Sequence, residues 1–196
     1  MKKIYSLLAA AVITGFSATP ASAGHSYISG NVGSSWMNDT KDAPFKYGMG
    51  SGLTALGAVG MRERCYRFEG ELGYQKNSVD NLYSQFGTSP FHGNIEVWSL
   101  LANAYWDIYT GESVKPYLTA GVGAARVQFE SIPFLPDEHD SVFAYQLGAG
   151  LAIPISHGVK LDARYRYFST AEFSLNNGNQ SRLSSNSVLL GLRFGL

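Results

Sequence analysis

The chain has 196 residues, with 15 basic and 15 acidic side chains and therefore no net formal charge. The length suits one domain of ordinary size, and the absence of a basic block argues against nucleic acid as a partner. The single cysteine, Cys65, excludes an internal disulfide framework, so the fold must be stable without one.

The N-terminus has the features of a removable secretory signal peptide. Lys2 and Lys3 form a short basic head, the stretch 7–16 is mostly apolar, and Ala21-Ser22-Ala23 matches a small-residue cleavage site. We therefore predict that residues 1–23 are a signal peptide and that residues 24–196 form the mature domain. No later window approaches the roughly 18 apolar residues that a membrane-spanning helix needs.

The mature chain contains eight stretches with the two-residue alternation of β-strands, in which successive side chains point to opposite faces. The clearest is the segment 159–167, where Val-Lys-Leu-Asp-Ala-Arg-Tyr-Arg-Tyr alternates apolar and charged residues. The predicted strands are, in chain order, Tyr27–Trp36, Gly50–Met61, Tyr66–Gln75, Asn94–Tyr109, Lys115–Phe129, Ser141–Ile153, Val159–Phe168 and Ser185–Leu196.

The fifth predicted strand changes phase along its length. Leu118 and Val122 share one parity, whereas Val127 and Phe129 have the other. A β-bulge near Gly123 and a change of environment at the rim both account for such a change, and the sequence leaves both open.

The connections between these stretches alternate in length. Short turns at one rim and long loops at the other are typical of an outer-membrane barrel, with its apolar face in lipid and its charges inside. Aromatic residues at both strand ends fit the interfacial girdles of such barrels. A soluble, lipocalin-like barrel with its charges in water is the structural alternative. The long links are predicted at Met37–Gly48, Lys76–Gly93, Ser131–Asp140 and Ser169–Ser184.

Four stretches resemble the small outer-membrane β-barrel family, which includes the opacity-type surface antigens and is similar in architecture to the OmpA and OmpX barrels. They are Leu100–Asp107, Lys115–Gly123, Phe143–Gly150 and Asp162–Phe168. The resemblance covers essentially all of residues 24–196. It implies an all-β fold, an eight-stranded antiparallel transmembrane β-barrel in up-and-down meander order, in the Gram-negative outer membrane with extracellular loops and periplasmic termini. In this family the last residue is usually Phe, which the assembly machinery reads. This chain departs from that pattern because it ends with Phe194-Gly195-Leu196, and Leu196, apolar and in phase with Phe194, is expected to serve in its place.

Eight charged residues have the parity predicted to face the lumen. Side chains just fill a barrel of eight strands, and an unpaired buried charge is very costly, so we expect these charges to pair. They predict a structural salt-bridge plug rather than an ion pathway or a buried acid–base pair. The residues are Arg67, Glu69, Glu71, Lys160, Asp162, Arg164, Arg166 and Arg193.

No catalytic, cofactor-binding or metal-binding site is predicted. The four histidines are scattered without metal-ligand spacing, and no Ser–His pair lies in phase near a rim. Glu69 and Glu71 share a face, as paired catalytic carboxylates do, but no route for a substrate is evident.

The long loops are the candidate binding surface, because binding residues concentrate on loops held by a rigid scaffold. The alternative is that these residues pack loop on loop or extend the strands above the membrane. The candidate contacts are Tyr83, Phe86, Phe91, His92, Phe134 and Leu135.

These observations favour a monomeric outer-membrane protein with a plugged polar lumen and four exposed loops, in a structural or surface-interaction role as an adhesin or surface antigen. A small low-conductance pore is the alternative, and a lipid-modifying enzyme is less favoured. The expected partners are outer-membrane lipid, the assembly machinery and a host or surface protein. No cofactor is expected.

Overall fold

The structure, a computed structural model, describes residues 25–37, 46–84, 87–130, 140–171, 173–174 and 180–196. The predicted signal peptide lies outside these residues. Eight long antiparallel strands form a closed barrel in chain order, with the last pairing with the first, and two short strands form a separate sheet. The barrel strands are β1 (His25–Met37), β2 (Lys46–Glu63), β3 (Tyr66–Ser84), β4 (Gly87–Asp107), β5 (Lys115–Glu130), β6 (Asp140–Ser156), β7 (Val159–Thr170) and β10 (Ser184–Gly195); the short strands are β8 (Phe173–Ser174) and β9 (Gln180–Ser181). The predicted eight-stranded meander is confirmed.

The alternation seen in the sequence becomes an alternation of burial. Along β10, Val188 and Leu190 point outward and are 52 % and 57 % exposed, whereas Leu189 between them is buried. Along β7, Arg164 and Arg166 point inward and are almost wholly buried. A lipocalin-like arrangement would expose those two arginines, so the soluble alternative is wrong. Among the described residues, no helix is long and apolar enough to cross a bilayer.

The segment Lys76–Gly93, predicted as a loop, is largely a β-hairpin. Strand β3 continues to Ser84, strand β4 begins at Gly87, and these two residues face each other in the antiparallel register. In the sequence of this extension polar residues occur at both parities, so the apolar alternation that identifies a strand is lost. The loop assignment is therefore wrong, and the alternative of strands that continue beyond the rim is correct.

Strand β5 keeps one phase throughout. It pairs with β4 and with β6 without any register shift, so no bulge lies at Gly123. Ala125 and Val127 both point inward and are 2 % and 4 % exposed. The change of parity therefore reflects a lumen that becomes apolar near this rim, the second of the two explanations left open.

One short connection is held by specific backbone geometry and hydrogen bonds. Arg64, in the turn between β2 and β3, has a φ of 54°, a left-handed conformation that is uncommon for a residue other than glycine. Its carbonyl oxygen accepts a hydrogen bond from Arg62 Nε at 3.2 Å, and the amide of Asp107 donates to the Cys65 carbonyl at 2.7 Å. These contacts fix the rim next to the luminal charges.

The luminal wall of β6 contains glycines that leave room for larger side chains. A Cβ at Gly150 would lie 2.5 Å from Tyr117 Oη, and a Cβ at Gly148 would lie 2.8 Å from the Thr119 methyl carbon. Glycine at these positions therefore lets neighbouring strands fill the interior.

Candidate functional site

The lumen contains the charged residues that the sequence analysis selected. Seven of the eight predicted luminal charges are at most 6 % exposed. The eighth, Lys160, is only partly buried, near the rim formed by the short turns. The seven buried charges lie in three contact groups, each drawing residues from different strands.

The first group surrounds Arg67 on β3. Its guanidinium forms an ion pair with Asp107 at 2.9 Å and a longer one with Glu69 at 3.5 Å. The Tyr27 hydroxyl donates a hydrogen bond to the same Glu69 oxygen at 2.6 Å. Three strands therefore meet at this one arginine.

The second group pairs β10 with β7. Arg193 binds both carboxylate oxygens of Asp162, with distances of 2.5 Å to Oδ1 and of 2.7 and 3.0 Å to Oδ2. A two-pronged contact of this kind fixes orientation as well as charge.

Tyrosine rings enclose these two groups. The Arg67 guanidinium lies 4.2 Å from the Tyr105 ring centre and 4.8 Å from that of Tyr117, and Arg193 lies 5.3 Å from that of Tyr27. Desolvated contacts of this kind stabilise a cation through the negative face of the ring. These luminal tyrosines were not selected from the sequence, although Tyr105 and Tyr117 share the parity of the inward polar residues on their strands.

The third group lies around Glu71. Arg164 donates to Glu71 at 3.1 Å and to the Tyr105 hydroxyl at 2.7 Å. Gln146 Nε2 donates to Glu71 at 3.0 Å and to Asn103 Oδ1 at 2.7 Å, while its Oε1 accepts from Arg166 Nε. Gln146 therefore connects the carboxylate of one strand to the arginine of another.

Arg166 is held differently from the other three arginines. Its guanidinium lies 4.6 Å from the Phe168 ring centre, and no carboxylate of the described residues forms an ion pair with it. Glutamine and the aromatic ring therefore replace a direct ion-pair partner.

The fully buried charges of the described lumen balance. Because an uncompensated charge in a low-dielectric interior is strongly disfavoured, equal numbers of each sign are the arrangement that the barrel can bury. The set consists of four cations and four anions: Arg67, Arg164, Arg166, Arg193, Glu69, Glu71, Asp107 and Asp162.

An apolar cluster lies in the lumen toward the opposite rim. Its members come from five of the eight barrel strands and from the segment before β10, and it was not predicted from the sequence. A polar layer adjoins it, in which Asn77 Oδ1 accepts from Gln75 at 2.8 Å and from Ser35 at 3.3 Å. The cluster consists of Met37, Ile95, Val97, Leu101, Ala125, Val127, Ala144, Phe168 and Leu183.

The described residues do not assemble a metal centre. No group of three or more His, Cys, Asp or Glu side chains comes together among them. Glu69 and Glu71, the pair considered as catalytic carboxylates, each accept hydrogen bonds from buried luminal groups. Both carboxylates are therefore occupied by structural partners.

A family model described as "Outer membrane protein beta-barrel domain" matches residues 7–194. The chain belongs to this family. It is therefore a β-barrel of the Gram-negative outer membrane, and the resemblance seen in the sequence is confirmed.

Curated relatives match only part of this outer-membrane barrel. An uncharacterised protein of Brucella suis biovar 1 is 30 % identical over 132 residues, which are 57 % of this chain and 45 % of that protein. The outer membrane protein PagN of Salmonella typhimurium is 23 % identical, over 54 % of each chain. The chain thus spans about half the length of the curated relatives it matches.

Solved structures show the same fold. Neisserial surface protein A aligns with a TM-score of 0.64 at 19 % identity, covering 87 % of this chain and 97 % of that one. Ail, the attachment invasion locus protein of Yersinia pestis, crystallised with the heparin analogue sucrose octasulfate, gives 0.54 at 20 % identity, covering 88 % and 99 %. OprG from Pseudomonas aeruginosa gives 0.56 at 12 % identity, covering 89 % and 96 %.

The outer surface of the barrel has the pattern that the membrane requires. Outward side chains along the strands are aliphatic, as at Val32, Leu72 and Leu190. Large aromatics lie outward near both rims, with Trp36, Trp98 and Phe143 toward the long connections and Tyr66, Trp106 and Phe194 toward the short turns. This is the band and double girdle of a transmembrane barrel.

The predicted loop contacts fall at the edge of what the structure describes. The backbones of Tyr83, Phe91 and His92 belong to the β3–β4 extension. Phe86, Phe134 and Leu135 lie outside the described residues, so their role stays a prediction.

Proposed function

We propose that this outer-membrane barrel does not conduct ions and acts through its loop-side surface as an adhesin or surface antigen. The observation that supports the proposal is the packing of the described luminal side chains, in which balanced charges lie in the turn-side half and the apolar cluster lies in the loop-side half. If nothing passes through the lumen, the loops are the surface through which the barrel can bind other molecules. Two structural neighbours, a surface protein and an attachment invasion locus protein, agree with this role.

A pore is the alternative, and conductance distinguishes the two. We expect the purified barrel to give no steady current in planar bilayers. The control is a variant that carries Leu101→Ser and Val127→Ser, which places polar groups in the apolar cluster. Sustained current through the unmodified barrel would overturn the plugged lumen.

The β3–β4 extension is the proposed contact surface. Beyond Tyr74, which lies against Trp98 in the outer aromatic girdle with ring centres 4.8 Å apart, β3 continues to Ser84. At about 3.3 Å per residue, this is roughly 30 Å of strand. We infer that the extension carries its hairpin end outside the membrane, with Tyr83, Phe91 and His92 as candidate contacts for a host or surface protein.

Shortening this extension tests the proposal. Ser78 and Asn94 face each other in the register, so replacing residues 79–93 with Asn-Gly closes a hairpin at that pair. We expect attachment to the target surface to be lost while the barrel still assembles, as judged by its heat-dependent electrophoretic mobility. A shuffled 79–93 segment of the same composition is the control. Undiminished attachment by the shortened protein would contradict the proposal.

We further propose that the protein is not an enzyme, because its luminal carboxylates are held by arginine, glutamine and tyrosine. Expression should leave lipid A and peptide masses unchanged. New masses that disappear in a Glu69→Gln or Glu71→Gln variant would establish an activity.

The remaining partners are proposals of the same kind. The outward aliphatic band contacts lipid, and the assembly machinery reads Phe194 and Leu196. Four loops are exposed, and the protein is monomeric. Residues 1–23 are removed before Gly24. Mass spectrometry of the protein isolated from the outer membrane tests the cleavage. If a Leu196→Ser variant assembled as well as the unmodified protein, Leu196 would not be part of the assembly signal.

A further inference from the structure

A cavity of about 460 Å³ opens at the turn-side mouth of the barrel. Four cationic side chains line it, together with one glutamate, Glu63, and His25. The cations are Arg62, Arg64, Lys160 and Arg193. This charge distribution differs from that of the balanced lumen above it.

The barrel register brings these cations together. Lys160 on β7 is directly opposite Arg193 on β10, and Arg62 on β2 is directly opposite Arg67 on β3. Like charges at opposed positions of neighbouring strands repel each other. The fold therefore holds Lys160 against Arg193 in the wall of this mouth, with Arg62 lining the same cavity, and an anion there would offset their repulsion.

The protein's own carboxylates leave this positive charge only partly compensated. Asp162 is engaged by Arg193, and Asp107 is engaged by Arg67 at 2.9 Å, with Arg62 farther away at 3.7 Å. Among the described residues no carboxylate lies within ion-pair distance of Lys160. Glu63 makes only a long contact of 4.0 Å with Arg64, and both side chains are exposed.

We propose that this mouth binds a phosphate-type anion. Guanidinium groups present paired donors that match phosphate oxygens, and a lysine adds a point charge. The mouth lies beside Tyr66, Trp106 and Phe194, the aromatics of the turn-side girdle, and therefore at the depth of lipid head groups. Two sources share this chemistry, a free phosphate compound of the periplasm and the phosphate of an inner-leaflet phospholipid.

Titration calorimetry with inorganic pyrophosphate at low ionic strength tests the site in the intact barrel. We expect binding by the unmodified protein and about tenfold weaker binding by Lys160→Gln. Arg182→Gln is the matched control, because Arg182 is exposed and lies just before β10 at the opposite rim. The control should bind as the unmodified protein does.

The source of the anion is distinguished by removing phospholipid. If phospholipid fills the site, pyrophosphate binding should be weaker in phospholipid nanodiscs than in micelles of a phosphate-free non-ionic detergent. If a free phosphate compound fills it, binding in the two environments should be alike. Either result supports the site.

Three results would overturn the proposal. They are absence of binding to the unmodified barrel, equal weakening by Arg182→Gln, and undiminished binding by Lys160→Gln. Urea unfolding in phosphate-free buffer checks that the Lys160→Gln variant still folds. This variant should be no less stable than the unmodified protein, because the substitution removes the repulsion between Lys160 and Arg193. A clear loss of stability there would mean that Lys160 already has an anionic partner, which also contradicts the proposal.

Discussion

Replacing Glu71 with glutamine tests the luminal network at its centre. The side chain is 1 % exposed and accepts hydrogen bonds from Arg164 at 3.1 Å and from Gln146 at 3.0 Å. The substitution keeps the shape of the side chain but removes its charge. Within the described part of the chain, Glu71 is the only carboxylate paired with Arg164, and the neighbouring Arg166 has no ion pair. Breaking a buried pair in this way costs about 3–5 kcal/mol, which is roughly a 150- to 5,000-fold change in the unfolding equilibrium.

The measurement is urea unfolding of the barrel in lipid vesicles, followed by the fluorescence of its three tryptophans. Glu96→Gln is the matched comparison, because Glu96 pairs with Lys76 at 2.8 Å on the outer face, where the lysine is 41 % exposed. Exposed pairs contribute at most about 1 kcal/mol. The double variant Glu71→Met with Arg164→Met should cost less than Glu71→Gln alone, since it removes both charges. Equal costs for Glu71→Gln and Glu96→Gln would refute the reasoning.

Three further substitutions extend the same assay. Gly121→Val should cost about 1–3 kcal/mol, because even a Cβ there would lie 1.8 Å from Asn103 Oδ1. It would displace the oxygen that accepts a hydrogen bond from Gln146. An unchanged urea midpoint would mean that the lumen has space for the larger side chain. Leu101→Ala should cost about 2–5 kcal/mol by leaving a cavity in the apolar cluster, and a smaller loss would indicate a loosely packed cluster. Leu190→Arg should cost about 2–4 kcal/mol in lipid vesicles, because this side chain points outward from the middle of β10. If the Leu190→Arg cost were the same in loosely packed detergent, lipid contact would not be its origin.

The strands could be predicted because membrane and lumen impose opposite chemistry on alternate residues. Inside the bilayer, Leu190 and Arg193 differ in kind as well as in face, so a period of two is visible. Toward Ser84 polar residues occur at both parities of the β3 sequence, and the chemical contrast is lost although the backbone pairing continues to Ser84. The error at Lys76–Gly93 therefore marks the place where the environment, and not the secondary structure, changes.

The membership of the lumen was predictable, but its contacts were not. Parity alone selects Arg67 and Glu69, yet the shorter ion pair of Arg67 is with Asp107, which lies on the neighbouring strand. That choice depends on the register and on side-chain reach. The apolar cluster escaped prediction for a related reason, since Val97 and Leu101 share the parity of the polar residues Ser99 and Asn103, so the alternation alone does not identify an apolar group there.

The order of the luminal layers itself argues against ion transport. A cation entering from the turn side first meets the cationic mouth, where repulsion opposes its movement, and then a lumen in which each buried carboxylate of the described residues is already paired with an arginine. An anion is attracted toward the mouth but must then cross the apolar cluster, which offers it no hydrogen-bond donor from side chains. This order agrees with both proposals: anion binding is placed at the periplasmic mouth, and contacts with another surface are placed at the hairpin outside the cell.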